Sequence, residues 1–234
     1  YPAARQTGVR MNTIFSARNL TKSYHTGDVE VWALRGVDMD LYTSAPPPHG
    51  PPVIVLPARL IRPKGVMEFV EAARRLLAEG IEARFVLCGA PDPSNPGSIP
   101  QAELESLIRN GTIEHWGWRT DMPAILASAT VVCLPTYYGE GVPKSLIEAA
   151  ASGRAIVTTD TPGCRDIVKD GFNGWLVPPR DIEALTDALR DAITRPELAR
   201  KYGEAGRARA RSGFSVGEVI RQTLSVYDEV AKRN

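Results

Sequence analysis

The sequence predicts an α/β fold built on a doubly wound parallel sheet, preceded by a short β-rich N-terminal segment. Three observations predict it. From Val53 to Val177 short apolar runs alternate with amphipathic stretches of helical period, as right-handed strand–helix–strand crossovers require. The first run, VIVLPA, is apolar at consecutive positions, as a strand covered by helices on both faces must be. The composition also changes at TSAPPPHGPP (43–52), a proline-rich breaker that reads as an irregular linker between two stretches of different grammar.

The elements follow in order. VIVLPA (53–58) is a strand, and GVMEFVEAARRLLAEG (65–80) a helix with Met67, Val70, Ala73 and Leu77 near helical spacing. ARFVLCG (83–89) is a strand, QAELESLIRNG (101–111) a helix closed by glycine, and TIEHWG (112–117) a strand. TDMPAILASA (120–129) is a helix with a Thr or Asp cap, and TVVCLP (130–135) a strand. PKSLIEAAASG (143–153) is a helix opening at Pro143, AIVTT (155–159) a strand, GCRDIVKD (163–170) a short helix and GWLV (174–177) a strand. Helices at 181–193, 196–212 and 216–232 complete the chain. Six strands in this alternation suit a Rossmann-like domain, whose ligands bind at the carboxyl ends of the strands. Residues 11–42 read differently. Val37, Met39 and Leu41 alternate with Asp38 and Asp40 as in a strand, and HTGD (25–28) suits a hairpin turn. About 32 residues build no independent core.

Composition narrows the function. The chain has 234 residues, 43% hydrophobic and 24% charged, with a net charge of +1, which offers no bulk attraction for nucleic acid or an anionic membrane. Any anion site must be local. Cys88, Cys133 and Cys164 form no paired motif and read as core thiols of a reducing compartment. His25, His49 and His115 lack metal-ligand spacing, and no apolar run approaches the roughly 20 residues of a membrane-spanning helix. With no signal peptide visible, the expected placement is cytoplasmic. The chain starts at Tyr1, with Met11 the first possible start, and reads as a fragment.

The chemistry-bearing residues fall after strands. In GEGVPKSLIEAA, Glu140 sits between Gly139 and Gly141, and Glu148 lies inside the following helix. Free amides at a helix start, reached through the small Gly141 with Lys144 beside them, make an anion site. The plain alternative is an ordinary strand–helix turn. In ARLIRPKG (58–65), Arg59 and Lys64 flank a turn before a helix and suit a diphosphate, or are surface charges around a loop. In WGWRTDMP (116–123), Trp118 and Arg119 border a possible nucleobase pocket, or the tryptophans simply pack. The Thr-Pro-Gly turn at 161–163 reads as structural.

Taken together, LPARLIRPKG, HWGWRTDMPAILASATVVCLPTYYGEGVPKSLIEAAASGRAIVTTDTPGCRDIV and GFNGWLVPPRD resemble the C-terminal, donor-binding half of a family 4 retaining glycosyltransferase of the GT-B fold, over residues 53–234. The resemblance implies that Glu140 reaches donor-sugar hydroxyls and that Glu148 accepts hydrogen bonds from ribose hydroxyls. It implies that the backbone from Gly141 through Val142 and Pro143 to Lys144 cradles the distal phosphate, and that Arg59 and Lys64 neutralise the diphosphate leaving group. Such an enzyme uses a nucleotide-sugar donor, here of the UDP-linked bacterial type, and a lipid-linked or polysaccharide acceptor. It needs no cofactor and no metal. It also needs a second, N-terminal acceptor domain, yet only residues 1–52 precede Val53. Enzymes of this kind also associate peripherally with the inner membrane.

Residues 14–42, IFSARNLTKSYHTGDVEVWALRGVDMDLY, resemble instead the start of an ABC-transporter ATPase, in which Tyr24 would stack on adenine. No GxxxxGK[ST] phosphate loop follows, so ATP hydrolysis is not expected. The chain therefore reads as a join of two gene fragments. In that reading the apolar face of the last helix, Val219, Leu224, Tyr227 and Val230, is partly exposed or covered by the N-terminal piece. Two functions stand: a glycosyltransferase donor half, and a domain that holds a nucleotide or nucleotide sugar without turnover. Product formation from donor and acceptor separates them.

Overall fold

The computed structural model describes residues 23–26, 29–32, 37–44, 46 and 49–231. The chain divides into two units, residues 1–35 and 36–234. In the first, β1 (Ser23–Thr26) and β2 (Val29–Trp32) pair antiparallel, with Thr26 opposite Val29. The HTGD turn read in the sequence falls in part on residues 27 and 28, which lie outside the described residues. The side chain of Tyr24, and with it any part in adenine stacking, lies outside the described residues.

The second unit carries the predicted alternation. Its strands are β3 (Val53–Pro57), β4 (Arg84–Cys88), β5 (Glu114–Gly117), β6 (Val131–Leu134), β7 (Ala155–Thr159) and β8 (Trp175–Val177). The helices are α1 (Val66–Ala78), α2 (Gln101–Arg109), α3 (Met122–Ser128), α4 (Lys144–Ala151), α5 (Pro162–Ile167), α6 (Ile182–Thr194), α7 (Pro196–Gly213) and α8 (Val216–Ala231). All six strands are parallel, in the order β5-β4-β3-β6-β7-β8. The direction of winding reverses between β3 and β6. In sheets of this kind that reversal opens the ligand crevice.

Successive strand residues serve opposite faces, so one sheet supports two cores. Ile54, Leu56, Phe85, Leu87 and Cys133 pack with α1 and α6 on one side. Val53, Val55, Val86, Cys88 and Leu134 pack with α3 and α4 on the other. All three cysteines are buried and unbridged, as core thiols should be. The buried stripe of α1 is rotated from the one read in the sequence. Phe69, Ala72 and Leu76 carry it together with Val70 and Ala73 of the stripe read in the sequence, while Met67 and Leu77 are only partly buried at its margins. Phe69 decides the rotation, as the bulkiest side chain on the helix, by packing edge-on against Phe85 with ring centroids 5.8 Å apart.

Residues 37–42 correct the sequence reading most. Val37, Met39 and Leu41 do not alternate along a strand, because Met39–Leu41 form a 3-10 turn. The Asp38 carboxylate accepts from the Asp40 amide at 3.0 Å, the local competition by which Asp displaces extended structure. Val37 forms a parallel bridge with Ser215 through Val37 N–H to Phe214 O (3.0 Å) and Val216 N–H to Val37 O (3.3 Å). Val37 and Tyr42 are both buried in the second core. This stretch, read in sequence with the N-terminal piece, is therefore packed into the α/β unit. On α8, Leu224 is exposed and Val219 half-buried, while the side chains of Tyr227 and Val230 lie outside the described residues. Among the described residues no helix is long and apolar enough to cross a membrane.

Candidate functional site

The loops after β3 and β6 part at the point where the winding reverses, and the chain ties them together there. The Tyr137 amide (2.9 Å) and the Thr136 hydroxyl (3.2 Å) both donate to the Pro63 carbonyl. Gly65 makes the fit possible. It closes the 3-10 turn Arg62–Lys64 and opens α1 at φ 77°, and a Cβ there would lie 2.1 Å from the Pro135 carbonyl oxygen. The turn delivers Lys64 to the crevice. Its residue is only 8% exposed, its ammonium donates to Glu140 Oε1, and it lies 5.3 Å from the Tyr138 ring centroid. A lysine buried to this degree requires such a partner.

The Glu140 loop is braced from a third strand. The Thr159 hydroxyl donates to the Thr136 carbonyl, and α5 begins with Gly163 pressed against the loop. A Cβ on Gly163 would lie 2.2 Å from the Gly141 carbonyl oxygen and 2.8 Å from that of Glu140. The Thr-Pro-Gly turn thus shapes the backbone of the glycine-bearing loop. Around Gly141 itself the space a side chain would take is open.

Beside this pair lies a cleft of about 490 Å³, within the usual range of roughly 300–1,000 Å³ for small-molecule sites. Its walls come from the ends of β3, β4 and β5 and from the first turns of α4. Glu148, only 5% exposed, lines it from α4. Its Oε1 accepts from the Tyr42 hydroxyl at 2.7 Å and forms an ion pair with Lys144 Nζ at 3.0 Å. Burial, and then the bond to Glu148, raise the Tyr42 phenol well above its usual range, so it remains the donor. Arg59 reaches Asp92 at 2.7 Å from the opposite wall. Ser94, and then Arg59, hold the Asp92 carboxyl below its usual value. Trp118 is 73% exposed at the rim, and Arg119 is paired with Asp121 at 2.6 Å. Burial raises the Cys88 thiol beneath, which leaves it un-ionised and inert.

Of the residues read from sequence, the cleft gathers Arg59, Trp118, Arg119, Lys144 and Glu148. Lys64 and Glu140 meet each other at the switch point. Gly141, Val142 and Pro143 form the loop that joins Glu140 to α4. Some details change. Pro143 is the residue before the helix, buried and extended (φ −62°, ψ 122°), so α4 begins at Lys144 with no side-chain cap. Val142 turns its side chain to the core, leaving its backbone for any ligand. Asp121 precedes α3 without capping it, because Arg119 occupies its carboxylate. The uncapped start of α4 keeps the positive end of the helix dipole facing outward beside Lys144.

Two site residues were not found in the sequence. Asp92 lies in APDPSNPGSIP (90–100), whose turn residues directly after a strand were the available signal. Tyr42 offered none, because its partner is 106 positions away.

The sequence pattern of the family Glycosyl transferases group 1 matches residues 43–209. The chain belongs to that family. Among curated relatives, this group 1 glycosyl transferase chain is 32% identical over 216 residues to the alpha-maltose-1-phosphate synthase of Mycolicibacterium smegmatis, covering 87% of this chain and 52% of that protein. It is 31% identical over 185 residues to the N,N'-diacetylbacillosaminyl-diphospho-undecaprenol alpha-1,3-N-acetylgalactosaminyltransferase of Campylobacter jejuni, covering 77% of this chain and 46% of that protein. The chain thus spans about half the length of the curated relatives it matches. In fold it is similar to Anabaena HepE solved with UDP and glucose (TM-score 0.71, 20% identity, 82% of this chain and 55% of that one). It is also similar to a glycosyltransferase from Rickettsia africae (TM-score 0.74, 22% identity, 86% and 57%). The α/β unit is a GT-B-type glycosyltransferase domain.

Proposed function

We propose that this group 1 glycosyl transferase domain is the donor-binding half of a retaining, family 4 enzyme. It takes a UDP-linked sugar and acts with a second, acceptor-binding domain on a lipid-linked or polysaccharide acceptor. The observation that carries this reading is the buried Glu148 on the cleft wall, its carboxylate held in place beside an uncapped helix start. A carboxylate so placed suits the paired hydroxyls of a ribose. In this reading Trp118 and Arg119 flank the base. The backbone from Gly141 through Val142 and Pro143 to Lys144 receives the distal phosphate, and Arg59 and Lys64 neutralise the leaving diphosphate. Glu140 addresses the sugar hydroxyls. Charge grows on the leaving phosphate as the glycosidic bond breaks, so cations and amides fixed around it accelerate the step. Two likenesses support the donor class: HepE holds UDP and glucose in its crystal structure, and sugar transferases stand among the relatives.

Calorimetric titration with UDP, GDP and ADP tests the reading. UDP is expected to bind saturably, and Glu148→Ala to weaken it by about 1–3 kcal/mol, the loss of acceptors for ribose hydroxyls. Arg59→Ala is expected to weaken UDP about tenfold while uridine binding stays unchanged, since a guanidinium bonds the charged group alone. Equal losses for UDP and uridine would remove Arg59 from the phosphates. Unchanged UDP affinity in Glu148→Ala would end the ribose assignment. Transfer of sugar to a lipid or saccharide acceptor separates an enzyme half from a domain that only holds the nucleotide.

A further inference from the structure

The hydrogen bond between Tyr42 and Glu148 joins two parts of the molecule that sequence reading kept apart. Tyr42 is 5% exposed, and its ring belongs to the core beneath α4. Its backbone is also tied to that helix. Arg207, from α7, donates to the Tyr42 carbonyl at 2.8 Å and to the carbonyl of Ala151, one turn beyond Glu148. The Tyr42 amide is held in turn by Met39 O at 3.3 Å, the bond that closes the 3-10 turn. The phenol therefore approaches Glu148 from a fixed position, with both ends of the segment anchored.

The arrangement of donors on the carboxylate is asymmetric. Tyr42 donates to Oε1, and Lys144 forms its ion pair with that same oxygen. The lysine side chain is half exposed and flexible, whereas the tyrosine is buried and has two side-chain torsions. A carboxylate fixed by a single mobile donor samples several rotations of its terminal torsion, which is broad and roughly two-fold. A second donor from rigid surroundings removes that freedom before a ligand arrives, and affinity gains what ordering would otherwise cost.

We propose that Tyr42 is a positioning residue of the donor site, which clamps Glu148 Oε1 from the protein interior and thereby orients the carboxylate toward the 2′- and 3′-hydroxyls of the donor's ribose. This rests on the reading of Glu148 as the ribose ligand. It makes the 37–44 segment a working part of the donor site, and it makes the hydroxyl of residue 42 a determinant of the preference for ribose over a deoxygenated sugar. The raised phenol keeps its proton across the ordinary pH range, so the clamp is permanent.

The test is a comparison of UDP with 2′,3′-dideoxyuridine 5′-diphosphate on the full chain carrying Tyr42→Phe, Glu148→Ala or both. Tyr42→Phe keeps the ring and its packing and removes only the hydroxyl. It is expected to weaken UDP about three- to tenfold, the worth of one bond to a charged group diluted by the remaining lysine. The dideoxy compound, which lacks the hydroxyls that Glu148 addresses, is expected to bind parent and Tyr42→Phe equally. In the Glu148→Ala background, adding Tyr42→Phe is expected to change nothing further. Loss of UDP in Glu148→Ala with full UDP affinity in Tyr42→Phe would overturn the role of Tyr42 and leave the donor site standing. Equal weakening of both ligands in Tyr42→Phe would reduce Tyr42 to a packing residue and also overturn it. Unchanged UDP binding in Glu148→Ala would overturn the donor-site reading, and the role of Tyr42 with it.

Discussion

Gly65→Ala is expected to cost about 3–5 kcal/mol of folding stability, a loss of the size reserved for substitutions the backbone cannot absorb. Two independent penalties meet at this residue. The left-handed conformation at φ 77° is worth roughly 1–2 kcal/mol against any residue with a Cβ. The added carbon would also stand 2.1 Å from the Pro135 carbonyl oxygen and 2.7 Å from the Pro135 ring. None of those contacts is the end of a flexible side chain, so relief requires the loops after β3 and β6 to move apart. Denaturant unfolding followed by circular dichroism measures the loss. A control at Gly80, which has a similar φ of 80° and nothing within 4 Å of its added Cβ, isolates the backbone term, and Gly80→Ala is expected to lose only that part. Equal losses at the two positions would mean that the β3 and β6 loops are not in the contact described.

Lys64→Ala is expected to weaken UDP at least about thirtyfold while leaving uridine binding unchanged, a larger loss than at Arg59. The reason is burial. Arg59 is half exposed and already bonded to Asp92, so solvent and a neighbour share its charge. Lys64 has only 10% of its side chain exposed and lies among less solvent, where a charge–phosphate contact is worth more. Its removal also strands Glu140, whose side chain is a quarter exposed, at a further cost of about 1–3 kcal/mol in stability. Lys64→Ala with Glu140→Gln restores that stability by removing the stranded charge, and is expected to leave UDP binding weak. Recovery of UDP affinity in the double variant would show that Lys64 acts on Glu140 alone and not on phosphate. Titration calorimetry on both proteins reads the outcome directly.

Much of this architecture was legible because it is local. The short apolar runs VIVL and VVCL, each ended by proline, and AIV, ended by threonine, have the length and β-branched content of strands covered on both faces. The strand and helix assignments from Val53 to Val177 are all present, with no end displaced by more than three residues and AIVTT matched at both ends. The readings that changed share a different cause. The alternation of Val37, Met39 and Leu41 is true to strand period, yet Asp38 caps its own backbone and Ser215 offers only a single bridge. The stripe on α1 is wide enough to admit two rotations, and Phe85, from another element, chose between them. Asp121 had the right spacing to cap α3, but Arg119 bonds it instead.

The site divides the same way. A glutamate between glycines, a second glutamate one helix further, and basic residues after the first strand were all visible as types in a pattern, because each sits at the carboxyl end of a strand and that position follows from the alternation. What the sequence by itself determined about this protein is therefore the sequence of elements, the two-sided core and the edge of the sheet where polar residues collect. Only the tertiary structure decided which of them meet. Lys64 and Glu140 are 76 positions apart and Tyr42 and Glu148 are 106 apart. Their contacts depend on β3 and β6 lying side by side at the reversal of winding, and on residues 37–44 folding back under α4. Periodicity carries no information about such pairings, because it records which face of an element is apolar and not which element will cover it.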